Sequence, residues 1–527
     1  MRFVLLVALA GCNTLLGVHT FDREDAGADD AASACAATCT DPHATCVAQG
    51  CACVAGYTHD GTSCQWTGVV ANPTFMDTTA WTLRGLTIDP IATAPGMLEA
   101  GYASPLCGNS MYQDIVMPRR ERAEPLVFYT SYGSPSPVSL QLRVDLGTAY
   151  HLKAFGQLSG TGFVKVRWCV GEGQYAGAGS RAIGEPLRLT LAGTYCSGGG
   201  LDHFDIVKAN AGECPDVGKG LNGNAEGAGG WDFSAPPDGS SANIVGAVGE
   251  NGTAGVRLYG FSRCSSASGA IPLSVPVVAS PALSLYRATK SNGVAVVPSF
   301  LRLAVDSLGT QAAGGSAPAV ERICLPPYMR GGVYQFSAET YELNAAAGSC
   351  ADFVDDESVV DNVTAINDPA CGTDPWIADP TFESGNARLG MSYSPGRSTA
   401  QVIVDAAAHG GDYDVMLTSS NYCGNATMLE HIIVPPSSGD AGPAFKMFYK
   451  LAPGNVADMK VTPAATRILA IKDVAWHEEV FCLPPANVGK TMPVYFQLSE
   501  LSNCNPQAIS TAWIDDLSVT TDASCPP

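Results

Sequence analysis

Asp379-Pro-Thr-Phe-Glu-Ser-Gly385 opens, and Trp513-Ile-Asp-Asp-Leu-Ser-Val519 closes, the stretch that decides the fold of this chain. The closing run alternates apolar and polar side chains, the period-2 pattern of a strand with one face in a core. Between the two lie Cys423-Gly-Asn-Ala426, Glu430-His-Ile-Ile-Val-Pro435, a strand-like run over 444–450 carrying Tyr449, and Cys482-Leu-Pro-Pro485. Each alternating run is short and is bounded by Gly, Pro, Asn or Ser.

Upstream, these landmarks recur in the same order. Openings stand at Asn72-Pro-Thr-Phe75 and Asn222-Gly-Asn-Ala-Glu226-Gly227. Cys107-Gly-Asn-Ser110 with Gln113-Asp-Ile-Val-Met-Pro118 matches the Cys423 region, and Cys324-Leu-Pro-Pro327 matches Cys482-Leu-Pro-Pro485. The middle copy keeps only Cys264 and Leu273-Ser-Val-Pro276 of the first motif, and the first copy has Cys169-Val-Gly-Glu172 at the second. Tyrosine-bearing strand runs fall at 126–130 (Tyr129) and 283–287 (Tyr286), and closing strands at 204–207 and 354–359.

Cysteine phase fixes the repeat. Three sets of four, Cys107, Cys169, Cys196, Cys214; Cys264, Cys324, Cys350, Cys371; and Cys423, Cys482, Cys504, Cys525, recur at intervals of 154 to 159 residues. A period that long is a whole domain, not a solenoid unit. Four cysteines allow three pairings per copy, and all three copies are expected to share one. The expected divisions are 66–214, 215–371 and 372–527. An all-β fold of tandem β-sandwich (jelly-roll) domains follows from many short strands at even spacing.

The remaining cysteines belong to the N-terminal region. Cys35, Cys39, Cys46, Cys51, Cys53 and Cys64, with Gly56-Tyr57, define a module over 35–65 too small to build a core without staples. Its spacing resembles an EGF-like domain. The resemblance implies the pairs Cys35–Cys46, Cys39–Cys51 and Cys53–Cys64. The acidic calcium motif of some such modules is missing before Cys35, so no calcium is expected there. Zinc is the competing reading, and an exported address speaks against it. Cys12 completes the nineteen cysteines. It ends Leu9-Ala10-Gly11-Cys12, after a basic start and an apolar run too short to span a bilayer. This resembles a bacterial lipoprotein signal, which implies removal of residues 1–11, lipidation of Cys12 and export to the cell envelope. Cleavage after Ala10 by an ordinary signal peptidase is the alternative. Residues 12–34, rich in Ala, Asp and Gly, bury too little to fold and read as an acidic tether.

The opening Asn-x-x-Phe-Glu-x-Gly and closing Ile-Asp-Asp-Leu-Ser-Val resemble carbohydrate-binding modules of the galactose-binding-like jelly-roll superfamily. In that family the opening glutamate and a closing aspartate help to hold a structural calcium ion. The resemblance therefore implies Glu226 with Asp355 or Asp356, and Glu383 with Asp515 or Asp516, as calcium ligands; the competing reading is solvated or turn-capping acids. The first copy, with Met76 at the glutamate position and only Asp205 in its last strand, carries no such expectation. No other cofactor is expected.

Flat aromatic rings that could meet a sugar include Trp81, Trp231, Trp513, Tyr132, Tyr259 and Tyr328, but Trp81 and Trp231 share one repeat position and read as core. Catalysis is not expected. No metalloprotease, serine-hydrolase or phosphate-loop signature occurs, and Trp476-His-Glu-Glu479, the one suggestive cluster, has no counterpart in the other copies and reads as strand edge or surface. A net charge of −21 argues against nucleic acid and a polybasic membrane contact. The expected protein is a lipid-anchored, non-catalytic binding or adhesion protein. Its partner would be polysaccharide or another envelope or matrix protein, and its only membrane contact the lipid. A spacer without glycan affinity is the alternative.

Overall fold

The computed structural model describes the strands and most connections between residues 44 and 527. Residues 1–43 and several connecting stretches, among them 90–98, 102–109, 117–125, 134–139, 156–163, 171–185, 194–199, 292–298, 343–352, 421–424 and 500–508, lie outside the description. Cys12, the expected lipidation site, falls outside it, as do Cys35, Cys39, Cys107, Cys196, Cys264, Cys350, Cys423 and Cys504.

Two short hairpins come first, Ala44–Val47 with Gly50–Cys53 and Tyr57–His59 with Cys64–Trp66; Cys53 and Cys64 are joined. Three all-β sandwiches follow, running from Thr82–Arg84 to Gly200–Lys208, from Asp232–Ser234 to Phe353–Asn367, and from Met391–Tyr393 to Ile509–Asp522. Among the described residues each has ten strands in an identical order. The first, fourth, ninth, sixth and seventh form one sheet, and the second, third, tenth, fifth and eighth the other.

The third sandwich shows why these residues form these strands. Its first sheet runs Met391–Tyr393, Asn425–Ile433, Thr491–Ser499, Met459–Thr462, Arg467–Leu469; its second runs Ser398–Val404, Tyr413–Ser420, Ile509–Asp522, Gly442–Leu451, His477–Cys482. Within Asn425–Ile433, Ala426, Met428 and Ile432 point inward, while Thr427, Leu429 and His431 point outward. Opposing inner faces bring Phe445, Met447, Tyr449, Phe496, Val415 and Ile514 into one core. Fully burying a side chain of this size stabilises the fold by about 1.5–3 kcal/mol.

In every sandwich the second and fourth cysteines are bonded, as Cys169–Cys214, Cys324–Cys371 and Cys482–Cys525. Each bond ties the end of the eighth strand to the chain just beyond the tenth. The second and third sandwiches also share backbone. Ala387–Arg388 adds a parallel strand beside Ile323 and Cys324, and Gly390 N–H donates to the Gly309 carbonyl at 2.7 Å. Leu429 packs against the core of the second sandwich, and the His431 ring lies 5.5 Å from that of Tyr328. The corresponding edge of the third sandwich, His477–Cys482, is guarded differently: Arg467 donates to the Val480 carbonyl at 3.1 Å and pairs with Glu479. A charged side chain laid over an open edge discourages further strand pairing.

Candidate functional site

In the second and third repeats the acids at the two ends of the repeat converge on one loop. In the third sandwich, Glu383 accepts backbone N–H bonds from Asp412 and Tyr413 at 3.0 Å, while Asp515 accepts from His409 at 2.8 Å and Gly410 at 3.0 Å. Asp515 also accepts from the N–H of Asp516 at 2.7 Å, and the Asp516 carboxylate meets His409 Nδ1 at 2.5 Å. Residues 405–412 are thereby clamped between the first and last segments of the domain. Left-handed backbone at Phe382 (φ 61°) and Asp516 (φ 46°) turns the chain at both points. At Gly411 φ is +79°, which favours glycine, and a β-carbon there would push the Glu383 carboxylate off its N–H donors. Burial pushes the Asp515 carboxyl up to about 6, against the pull of its N–H donors.

The second sandwich builds the same clamp, with one correction to the sequence reading. Glu226 accepts from Ala254 N–H at 3.1 Å, but its partner is Asp361, not Asp355 or Asp356. Asp361 is fully buried and accepts from Glu250 N–H (3.0 Å), Thr253 Oγ1 (2.9 Å) and Asn362 N–H (2.7 Å). Strand pairing sets Asp356 opposite Gly260 and Ser291, earlier on the long tenth strand, whereas Asn362 (φ 53°) repeats the turn of Asp516. The side chains of Asp355 and Asp356 lie outside the described residues. A signal did exist: Asp361 and Asp515 each precede the last cysteine of their copy by ten residues. In the first sandwich Asp205, nine residues before Cys214, takes that place, and burial raises it to about 6.

Glu383 and Asp515 both accept backbone N–H bonds, and no group of three His, Cys, Asp or Glu side chains converges among the described residues. The clamp is a backbone device.

Beside the clamp, on the outward face of the second sheet, lies a different group. Lys450, only 9% exposed, sits with Nζ 4.6 Å from the ring centre of Trp476 and 4.8 Å from that of Trp513, and 3.7 Å from Asp405. Trp476 Nε1 donates to the Ala407 carbonyl at 2.9 Å, which ties the group to the clamped loop. His409 stacks on Phe448 at 3.6 Å. Beneath them Asp414 is completely buried, and no donor reaches either of its oxygens. Burial, then the neighbouring Asp405 carboxylate, raises Asp414 to about 7, and Lys450 partly offsets this.

The aromatic candidates separate accordingly. Trp81 (5% exposed) and Trp231 (7%) are core residues, and Trp231 packs edge-on against Phe336. Trp513 is half-buried on the outer face. Tyr328 faces the domain junction, and the Tyr132 side chain lies outside the described residues. Trp476 was legible only as part of a histidine–glutamate cluster. His477 pairs instead with Asp473 at 2.9 Å, and the tryptophan is the functional candidate. The other sandwiches repeat the motif in weaker form on the same face: Arg167 lies 5.8 Å from the Tyr129 ring, and Arg257 lies 5.3 Å from that of Tyr259.

No family model matches the chain, and no curated protein matches it. Among solved structures, the CBM22-1–CBM22-2 tandem domain from Paenibacillus barcinonensis Xyn10C is 14% identical over 57% of this chain and 97% of that one, with a TM-score of 0.20. A family 11 carbohydrate-binding module from Clostridium thermocellum, in complex with a β-1,3-1,4-mixed-linked tetrasaccharide, is 18% identical over 29% of this chain and 98% of that one, with a TM-score of 0.20. TmCBM61 in complex with β-1,4-galactotriose is 15% identical over 27% of this chain and 96% of that one, with a TM-score of 0.20.

Proposed function

We propose that this chain is a lipid-anchored, non-catalytic binding protein of the bacterial cell envelope, whose jelly rolls grip polysaccharide. The observation that carries the reading is the half-buried pair Trp476 and Trp513 gathered around Lys450 and Asp405 on an outward sheet face. A sugar ring offers an apolar face for an indole and hydroxyls for an ammonium and a carboxylate, and a few fixed polar groups beside aromatic surface are what confer orientation. The repetition of a cation over an aromatic ring in all three sandwiches supports several contacts along one polymer, which raise avidity without new chemistry. The six-cysteine region acts in this reading as an EGF-like spacer between tether and sandwiches.

A glycan array probed with the region Trp66–Pro527 tests the proposal. The expected result is a defined set of polysaccharide hits that Trp476→Ala and Trp513→Ala each weaken by more than about tenfold, the equivalent of roughly 1.4 kcal/mol. Silence across matrix glycans would leave the spacer reading in place.

A further inference from the structure

We infer that Asn251 is a site of spontaneous covalent modification, an Asn-Gly step whose side-chain amide is left unbonded at the exposed tip of the clamped loop of the second sandwich. Asn251-Gly252 forms the tip of that loop, exposed to solvent, with Asn251 in the left-handed region at φ 54°. The Asn251 side-chain amide has no hydrogen-bond partner among the described residues, and a β-carbon built on Gly252 would meet nothing within 4 Å. The Gly252 N–H donates to the Gly249 carbonyl at 3.2 Å and Asn251 stands at ψ 24°, so this one turn bond must open and the step must rotate before the Gly252 nitrogen reaches the Asn251 Cγ, but no side-chain bond has to break.

The sequence supplies its own control. Asn222-Gly223 is the same dipeptide, yet the Asn222 amide donates to Gly227 and Gly229 carbonyls at 2.7 Å and accepts from Gly227 N–H at 2.9 Å. Gly223 is packed so tightly that a β-carbon there would lie 2.4 Å from the Val363 carbonyl oxygen.

The chemistry is a closed sequence. The Gly252 nitrogen forms a bond to Asn251 Cγ, its proton and the side-chain nitrogen leave as ammonia, and a cyclic imide remains. Water opens the imide at either carbonyl, giving aspartate or isoaspartate at 251. The new carboxylate arises beside Glu250, whose own carboxylate holds Asn362 Nδ2 at 2.8 Å and whose N–H is held by Asp361 at 3.0 Å. Like charges accumulating around the clamp loosen it, and an isoaspartate adds a backbone atom to a turn closed by Thr253 N–H to the Glu250 carbonyl at 3.2 Å.

The test is peptide mapping of the full chain after incubation at mildly alkaline pH, folded and in denaturant. In the folded protein the amide-to-acid mass shift should accumulate at Asn251 more than about tenfold faster than at Asn222, and the difference should vanish in denaturant. Asn251→Gln should remove the signal at 251 alone, and Asn251→Asp should lower the melting temperature relative to Asn251→Gln. Equal rates at the two sites in the folded protein, or faster conversion at Asn222, would overturn the inference.

Discussion

At the scale of single residues, Asp414 carries the clearest functional tension. Its carboxyl is raised to about 7 in the folded chain, against an ordinary value near about 3.9. Between those pH values the folded state binds more protons than the unfolded, so stability falls as pH rises through the window. Asp205 and Asp515, each raised to about 6, act in the same sense. His431 acts oppositely: burial lowers it to about 4, so the unfolded chain takes up its proton first and stability is lost as pH falls from about 6.5 toward 4. Thermal melts across pH should therefore peak on the acidic side of neutrality. Asp414→Asn, which keeps the shape without the charge, should raise stability at pH 8 by on the order of 2 kcal/mol, with a gain that shrinks as pH falls toward about 3.9. A variant that melts lower at pH 8 would show that the charge is needed. The same residue explains a limit of the sequence: Asp414 reads as an ordinary polar residue at the start of an alternating strand, and only the covering loop reveals that it is sealed.

At the scale of elements, the strands were legible because alternation and Gly/Pro punctuation act locally, and each predicted tyrosine-bearing or closing run falls within an observed strand. The clamp was half legible. Its end residues were recognised at Glu383 and Asp515, but Asp361 was displaced to Asp355 or Asp356, because the tenth strand of the second sandwich is 15 residues long and carries two acidic steps. Cysteine phase would have chosen correctly. Trp476 escaped because it stands before its strand, in a connection that the other copies do not share. The bond from the eighth strand to the chain beyond the tenth closes a loop of 43 residues in the third sandwich. A loop of that size contributes about 4 kcal/mol through the restricted unfolded chain. The paired substitution Cys482→Ser with Cys525→Ser should lower the denaturant midpoint accordingly, while the first two sandwiches keep their own transitions. A midpoint unchanged within error would mean that Arg467 and the core already hold that edge.

At the scale of the whole molecule, three copies of one topology differ mainly in what they display outward: a tyrosine under an arginine in the first two, and two tryptophans around a lysine in the third. The core must satisfy one packing plan in each copy, whereas the outward face has no such constraint and has diverged. This is why repetition was readable and ligand chemistry was not. The proposed lipid anchor is tested at this scale as well. Cys12→Ala should shift the protein from the membrane fraction to the soluble fraction; a variant that stays with membranes would remove the lipid from the proposal.

The short strand Ala387–Arg388, laid against Ile323 and Cys324, has one more consequence. The chain repeats with a boundary at Cys371, but the material that finishes the second sandwich's edge is encoded beyond that boundary. The unit that was copied and the unit that can be excised are therefore different objects. A fragment ended at Cys371 would inherit a complete repeat and an unfinished sheet, and one carried through Tyr393 would take its neighbour's strand with it.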